Sequence, residues 1–273
     1  MNATMSDQTL TTSNRSFTHS GTLGDVLTSL CIVKILGGGD FYLKLHNMDK
    51  MIQEKLGWPN AGIHSGRMTQ GDYEQLEPIM KSQSYIKSFQ IWNGESVTNE
   101  FEEVCRHHQA GGHWPRNFSH QYAVSQGLDP KEHFTALQVR PWLECPNPIK
   151  IPNRPIVIAR NSHYLEGAPI LNPKWVEWFD KGLADRCIYV GLEHEHQWFE
   201  ELFGVRVQHY KTSDMMELCR VIAGCELFIG NQSMPGTMAS ICLGKTSWIE
   251  LRKNEKYDNN EFIYPYRINI SYF

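Results

Sequence analysis

Two carboxylates and one polar loop carry the chemistry legible in this chain. Asp25 follows Gly24 at the end of a glycine-containing loop and begins a helix. A carboxylate there can take a proton from an attacking hydroxyl, or it can cap the helix by accepting from its first N–H groups. Glu193 stands two residues after Gly191, just past a strand. It can accept hydrogen bonds from both hydroxyls of a ribose, or it can be a first-turn acid favoured by the helix dipole. The loop Gly230-Asn231-Gln232-Ser233 is small and polar, and Met234, Pro235 and Gly236 follow it. It joins the C-terminal end of a strand to a helix N-terminus. Open α/β sheets bind ligands at that place, and free helix N–H groups favour an anion such as a diphosphate. Arg160 and Asn161 end another strand. The guanidinium fork suits phosphate oxygens, against the reading of an ordinary surface loop.

Metal chemistry is less well supported. His194-Glu195-His196 and the group His107, His108, His113 and His120 match no zinc spacing, so no metal ligands are expected. Gly37-Gly38-Gly39-Asp40 precedes a strand instead of following one, which excludes a phosphate loop. No Walker, G-x-S-x-G or G-x-G-x-x-G motif occurs.

The elements that would position these residues alternate. Ser16–His19 reads as a strand, the next loop holds Gly21 and Gly24, and Val26, Leu27, Leu30, Val33 and Ile35 recur at helical spacing. Phe41–Leu45 is the next strand. Met48–Leu56, Thr69–Met80 and Asn99–His107 read as helices, Ile86–Trp92 as a strand and 110–117 as a loop. Prolines at 146, 148, 152 and 155 mark a linker. Beyond it strand and helix alternate regularly: Pro155–Ala159, Lys174–Leu183, Cys187–Val190, His194–Phe203, Val205–Val207, Met215–Ala223 capped by Ser213, Cys225–Ile229, the helix opened by Ser233, and Thr246–Leu251. This pattern predicts an α/β protein with two Rossmann-like open parallel sheets facing a cleft. The expected division is a flexible leader over 1–14, an N-terminal domain over 15–150, and a C-terminal domain over 151–273. In the last, an aromatic tail from Tyr257 to Phe273 is free to cross back to the first domain.

Composition narrows the classes further. A formal charge of -4 gives no general basic face for nucleic acid. No apolar run has membrane-spanning length and the N-terminus lacks a signal core. Seven scattered cysteines without a C-x-x-C pair fit buried free thiols in a reducing, cytoplasmic setting.

Three segments together resemble the GT-B glycosyltransferases of the ADP-heptose:lipopolysaccharide heptosyltransferase type, glycosyltransferase family 9. Leu23-Gly24-Asp25-Val26-Leu27-Thr28-Ser29-Leu30 is similar to the family's first loop and helix. Val190-Gly191-Leu192-Glu193-His194-Glu195 is similar to its Gly-x-Glu-x-Glu strand end, and Leu218 through Gly236 to its helix, turn, strand and donor loop. The resemblance implies a sugar transferase acting on a nucleotide-diphosphate sugar. Asp25 would be the catalytic base and Glu193 the ribose contact. Gly24, Gly191, Asn231, Gln232, Ser233 and Gly236 would line the donor, with Arg160 and Asn161 near its phosphates. It implies inversion at the anomeric carbon and no cofactor, the helix after Ser233 taking the place of a divalent metal.

Asn231 to Gly236 stands where the heptosyltransferases carry Asp-Thr-Gly-x-x-His, so the sugar is left open. The acceptor is a saccharide by resemblance, or a hydroxymethylated DNA base, which the small size and the departures from the family raise. The alternatives are a nucleotide-sugar epimerase or hydrolase of the same shape, and an inactive module that binds nucleotide sugars. The base of the donor and the oligomeric state are not encoded in any motif.

Overall fold

The computed structural model describes residues 15–46, 68–101, 118–129, 141–161, 172–250 and 270–273. Two parallel sheets organise them. The first contains β1 (Ser16–His19), β2 (Gly39–Leu43), β3 (Ile86–Ile91) and β4 (Asn99–Glu100) in the order β3-β2-β1-β4. Around it lie α1 (Leu23–Ile35), α2 (Gln70–Lys81) and α3 (Phe118–Ser125).

Helix α1 is buried without interruption from Val26 to Val33. A helix apolar on all sides belongs between two packed layers, not on a surface. It stops at Gly37 and Gly38, whose φ values of 89° and 78° suit only glycine at low cost. The Gly38 N–H reaches back to the Val33 carbonyl at 2.8 Å. Helix α2 starts on a reciprocal cap. The Thr69 N–H donates to Asp72 Oδ2 at 2.8 Å, and the Asp72 N–H to Thr69 Oγ1 at 3.3 Å.

Asn99 and Glu100 differ from the helix expected there. They pair with Phe17 and Thr18 of β1 as a strand. Thr98 and Ser16 exchange backbone-to-side-chain bonds at 2.9 and 3.0 Å just before that pairing. These tertiary bonds outweigh the local helical pattern. The helix expected over Met48–Leu56, the loop over 110–117 and the leader lie outside the described residues.

The second sheet has six strands: β5 (Ile156–Ala159), β6 (Cys187–Tyr189), β7 (Gln208–His209), β8 (Leu227–Asn231), β9 (Ser247–Glu250) and β10 (Ile270–Tyr272). Their order is β10-β9-β8-β5-β6-β7. The helices are α4 (Pro173–Asp180), α5 (Glu193–Phe203), α6 (Met215–Gly224) and α7, which begins as Met234–Gly236 and widens to a π-helix over Thr237–Cys242. All pairings are parallel. Strand β5 is buried on both faces, as parallel strands are. Ile156, Ile158, Tyr189 and Ile229 meet Trp175 and Phe199 on one side. Val157, Ala159, Ile188, Val190 and Phe228 face the other side and join the core that continues through α1 and the first sheet.

Two boundaries moved. The seventh strand forms at Gln208–His209, not at Val205–Val207, and Asp214 caps α6 by accepting from the Glu217 N–H at 2.7 Å. The end of the aromatic tail pairs beside β9, and the Phe273 ring packs 4.8 Å from that of Trp178. The six described cysteines are free and five are buried. No helix among the described residues is long and apolar enough to cross a membrane.

Glycine at 224 lets the end of α6 touch the proline-rich linker. A Cβ there would lie 2.0 Å from the Ile149 carbonyl oxygen, a backbone atom that cannot turn aside. Gly224→Ala should therefore destabilise the protein by about 1–3 kcal/mol. Gly71→Ala, whose Cβ would meet nothing nearer than 3.7 Å, should be neutral or stabilising by up to ~1 kcal/mol. Urea denaturation of the two variants checks this, and equal midpoints would contradict the close approach.

Candidate active site

In each sheet the strand order reverses once, between β1 and β4 and between β5 and β8. Ligands of open α/β sheets bind outside the carboxyl ends of strands at such points. Each reversal is followed by a helix that leaves a strand end: α1 after β1 and α7 after β8. These two helices meet. A Cβ on Gly24 would sit 3.7 Å from Thr237 Oγ1 and 3.9 Å from Met234 Cα. Trp142 secures the contact one turn further on. Its indole N–H donates to the Leu27 carbonyl at 3.2 Å, and the N–H groups of Trp142 and Leu143 both donate to the Cys242 carbonyl at 3.1 Å.

Asp25 is in the first turn of α1, next to this contact. Its Oδ2 accepts from the Thr22 N–H and the Thr22 hydroxyl, both at 2.8 Å. The carboxylate is thus a helix cap, while its Oδ1 accepts no bond among the described residues. Below it, His19 closes β1. Its Nδ1 accepts from the Gly21 N–H at 2.8 Å, which leaves its proton on Nε2, 2.8 Å from the Tyr122 hydroxyl oxygen. A Cβ on Gly21 would lie 2.5 Å from His19 Cε1 and 2.8 Å from Asp25 Oδ2. Glycine is what allows the loop to pass between the imidazole and the carboxylate. Sequence reasoning missed His19 and Tyr122. The available signal was an imidazole placed at a strand's carboxyl end directly before a glycine turn.

The loop after β8 is firmly held. Asn231 Nδ2 donates to the Asn161 carbonyl at 2.8 Å across the reversal between β5 and β8. The Ser233 N–H donates to the Asn231 carbonyl and the Thr237 N–H to the Ser233 carbonyl, both at 2.8 Å. Ser233 occupies the N-cap position of α7 without a side-chain cap bond. Pro235 has no N–H, so Met234 and Gly236 supply the donors of the first turn. Gln232 and Ser233 are only 6% and 4% exposed.

Gly191 (φ 139°) ends β6, and Glu195 Oε2 accepts from the Leu192 N–H at 3.0 Å, so Glu195 caps α5. Glu193 keeps its carboxylate half exposed, 2.6 Å from Lys211 Nζ. That ammonium holds the Glu193 carboxyl below the usual range. Strands β6 and β8 flank β5, so their carboxyl ends stand two strand spacings apart, roughly 10 Å, while the Glu193 carboxylate turns toward His209 and Lys211 on the β7 side.

Gly24 is thus brought close to Met234 and Thr237, so that Asp25 on one side and Ser233 and Gly236 on the other adjoin the approach in sequence, with Asn161 and Asn231 bonded to each other and Glu193 following the neighbouring strand end. Arg160 is elsewhere. Its guanidinium is 1% exposed and bonded to Glu250, with the second contact, from Nη2 to Oε1, at 3.0 Å. The Trp175 indole N–H donates to the same carboxylate at 3.1 Å, and the Tyr189 hydroxyl donates to the Arg160 carbonyl at 2.6 Å. The ion pair explains why an arginine ends a buried strand. Glu250→Ala should cost about 3–5 kcal/mol by leaving a buried cation uncompensated, whereas the double change Arg160→Met/Glu250→Leu should recover most of it. Thermal unfolding of the three proteins decides, and a double variant as unstable as the single one would refute the account.

No protein-family model matches the chain, and no curated protein matches it in sequence. Solved structures do match. A glycosyl transferase family 9 protein from Veillonella parvula aligns over 96% of this chain and 88% of its own, with 12% identity and a TM-score of 0.54. The E. coli heptosyltransferase WaaC with ADP-2-deoxy-2-fluoro heptose aligns over 94% and 92%, with 13% identity and a TM-score of 0.44. E. coli ADP-heptose lps heptosyltransferase II aligns over 94% and 89%, with 12% identity and a TM-score of 0.44. The chain has the two-sheet α/β architecture of the family 9 glycosyltransferase fold, the GT-B arrangement.

Proposed function

We propose that this protein transfers a sugar from a nucleotide-diphosphate sugar to an acceptor hydroxyl, with inversion and without a metal at the diphosphate. The observation that carries the reading is the contact of Gly24 with Met234 and Thr237. It sets a carboxylate of one lobe beside the amide-lined start of a helix in the other. The N-terminal lobe, 15–150, receives the acceptor, and the C-terminal lobe, 151–273, holds the donor. The free cysteines among the described residues suit a reducing, cytoplasmic setting.

The donor lies along the carboxyl ends of β6, β5 and β8. Glu193 accepts from the ribose hydroxyls, and Gly191 gives the sugar ring room to approach. The span of roughly 10 Å between the carboxyl ends of β6 and β8 fits the reach from a ribose to the far end of its diphosphate. At that end Asn161, Asn231, Gln232, Ser233 and Gly236 surround the phosphates. The first-turn N–H groups of α7 and the helix dipole stabilise the charge that grows on the leaving diphosphate. Gln232 and Ser233 are covered in this structure, so the donor reaches them once the loop after β8 is uncovered.

Asp25 takes the proton. Thr22 fixes one carboxylate oxygen, which orients the other toward the acceptor. The acceptor oxygen bonds to the anomeric carbon as its proton passes to Asp25 and the bond to the diphosphate breaks. Attack opposite to the leaving group inverts that carbon. The acceptor is a saccharide hydroxyl, and a hydroxymethylated DNA base is the second acceptor for trial.

A thermal-shift panel of nucleotide sugars identifies the donor, since a bound ligand stabilises the folded state by mass action. With that donor, Asp25→Asn should lower transfer by about 10²–10⁴-fold and leave donor affinity unchanged. Glu193→Gln should weaken the donor and spare turnover at saturation. Unchanged turnover in Asp25→Asn removes the base, and donor consumed without any acceptor assigns a hydrolase or epimerase instead.

A further inference from the structure

A second cluster of chemical groups lies at the edge of the C-terminal sheet and shares Glu193 with the proposed ribose contact. Glu193 and His196 stand three residues apart on the first turns of α5, and His209 comes from β7, the two-residue edge strand. The two imidazoles stack with ring centres 4.5 Å apart and planes 17° from parallel. His196 Nε2 lies 2.8 Å from the Val207 carbonyl oxygen and His209 Nε2 lies 3.0 Å from that of Gly191. A carbonyl only accepts, so both rings carry a proton on Nε2 and turn a Nδ1 lone pair toward the other side. The Nδ1 of His209 is buried and has no hydrogen-bond partner, in a side chain only 9% exposed. It stands 3.5 Å from Glu193 Oε2, one acceptor facing another. Each of the three residues offers a ligand atom within 4.8 Å of the others.

Two acceptors brought face to face need a positive charge between them. A second proton on His209 would supply it, but 3.5 Å is long for a charged hydrogen bond, which runs at about 2.7–2.9 Å. We infer that Glu193, His196 and His209 form a binding site for one divalent transition-metal ion of borderline softness, such as Zn²⁺ or Co²⁺. Two imidazoles and one carboxylate suit such ions, and not Mg²⁺ or Ca²⁺. The backbone carbonyls that receive both Nε2 protons act as the outer partners that orient metal-bound histidines. Closing the site needs a contraction, since ligand atoms around Zn²⁺ at about 2.0–2.1 Å are closer together than 4.8 Å. Glu193 can supply it, being half exposed on a helix end. Lys211, whose side chain is 72% exposed, leaves the carboxylate as the ion arrives. The ion then ties β7 to α5 and keeps one coordination position for water.

The test uses the full chain, stripped with a chelator and titrated with Co²⁺ and Zn²⁺ in the absence of any nucleotide. One ion should bind per chain, with visible Co²⁺ absorption of a four- or five-coordinate site and a raised Tm in Zn²⁺. His209→Gln and Glu193→Gln should each weaken binding by roughly 100-fold or more, with circular dichroism confirming the fold. Glu193→Gln changes a half-exposed group and serves if His209→Gln does not fold. Absence of stoichiometric binding, or binding of undiminished affinity in a folded variant, overturns the site. Two protons on the His209 ring in the metal-free protein, with Zn²⁺ silent, would assign the charge to a proton instead. None of these readouts involves sugar transfer, so failure here leaves that reading intact.

Discussion

The packing of α1 against α7 is the constraint from which the rest of the molecule follows. Two sheets built alone would each expose a row of strand ends and a helix start. Here the apolar length of α1 is buried because it lies between its own sheet and the second lobe, so one core runs through both. The helices approach closely at Gly24, where a Cβ would stand at van der Waals distance from Met234 and Thr237. Trp142 then spans the pair, its indole on Leu27 and its backbone on Cys242. The strand reversals of both sheets thereby come to a common place, which is why chemistry can be sought there at all.

Each carboxylate at that place has a structural task, and the tasks are compatible with reactivity in different degrees. Asp25 caps α1 through one oxygen only. A cap of that kind reduces the freedom of the group and so favours a single orientation for the second oxygen. Glu193 leaves the capping of α5 to Glu195 and is held by Lys211 at the surface. Glu250 has gone furthest the other way. It is buried with Arg160 and Trp175, and holds the carboxyl ends of β5 and β9 together beneath the surface where the ligand would lie.

Much of this was legible in the chain because its signals are local. Apolar runs ending in glycine located β6 and β8, the apolar run after the last linker proline located β5, and the glycines after α1 located its end, where their φ is positive. The loop 230–233 and the acids after Gly24 and Gly191 stood out by position alone. What stayed hidden depends on partners distant in sequence. Asn99 and Glu100 are a strand only because Ser16 and Thr98 bind each other. Arg160 reads as a phosphate ligand until Glu250, ninety residues on, is seen to occupy it. His19 needs Tyr122, on a helix too short to show a clear apolar stripe. The pairing of His196 with His209 likewise joins a helix to a strand that the pattern placed two residues early.

The bonds along the α1–α7 contact bear on how a covered site is reached. At Leu27 the contact is fixed by directed bonds: the Trp142 indole to the Leu27 carbonyl, two backbone N–H groups to the Cys242 carbonyl, and the Cys242 thiol to Leu27. Breaking these in a buried setting would leave polar groups unpaired, at a cost of about 1–3 kcal/mol for each group. At Gly24 the helices come close enough that an added Cβ would stand at ordinary van der Waals distance, 3.7 Å from Thr237 Oγ1 and 3.9 Å from Met234 Cα. The directed bonds around Trp142 therefore make that end of the contact costly to open.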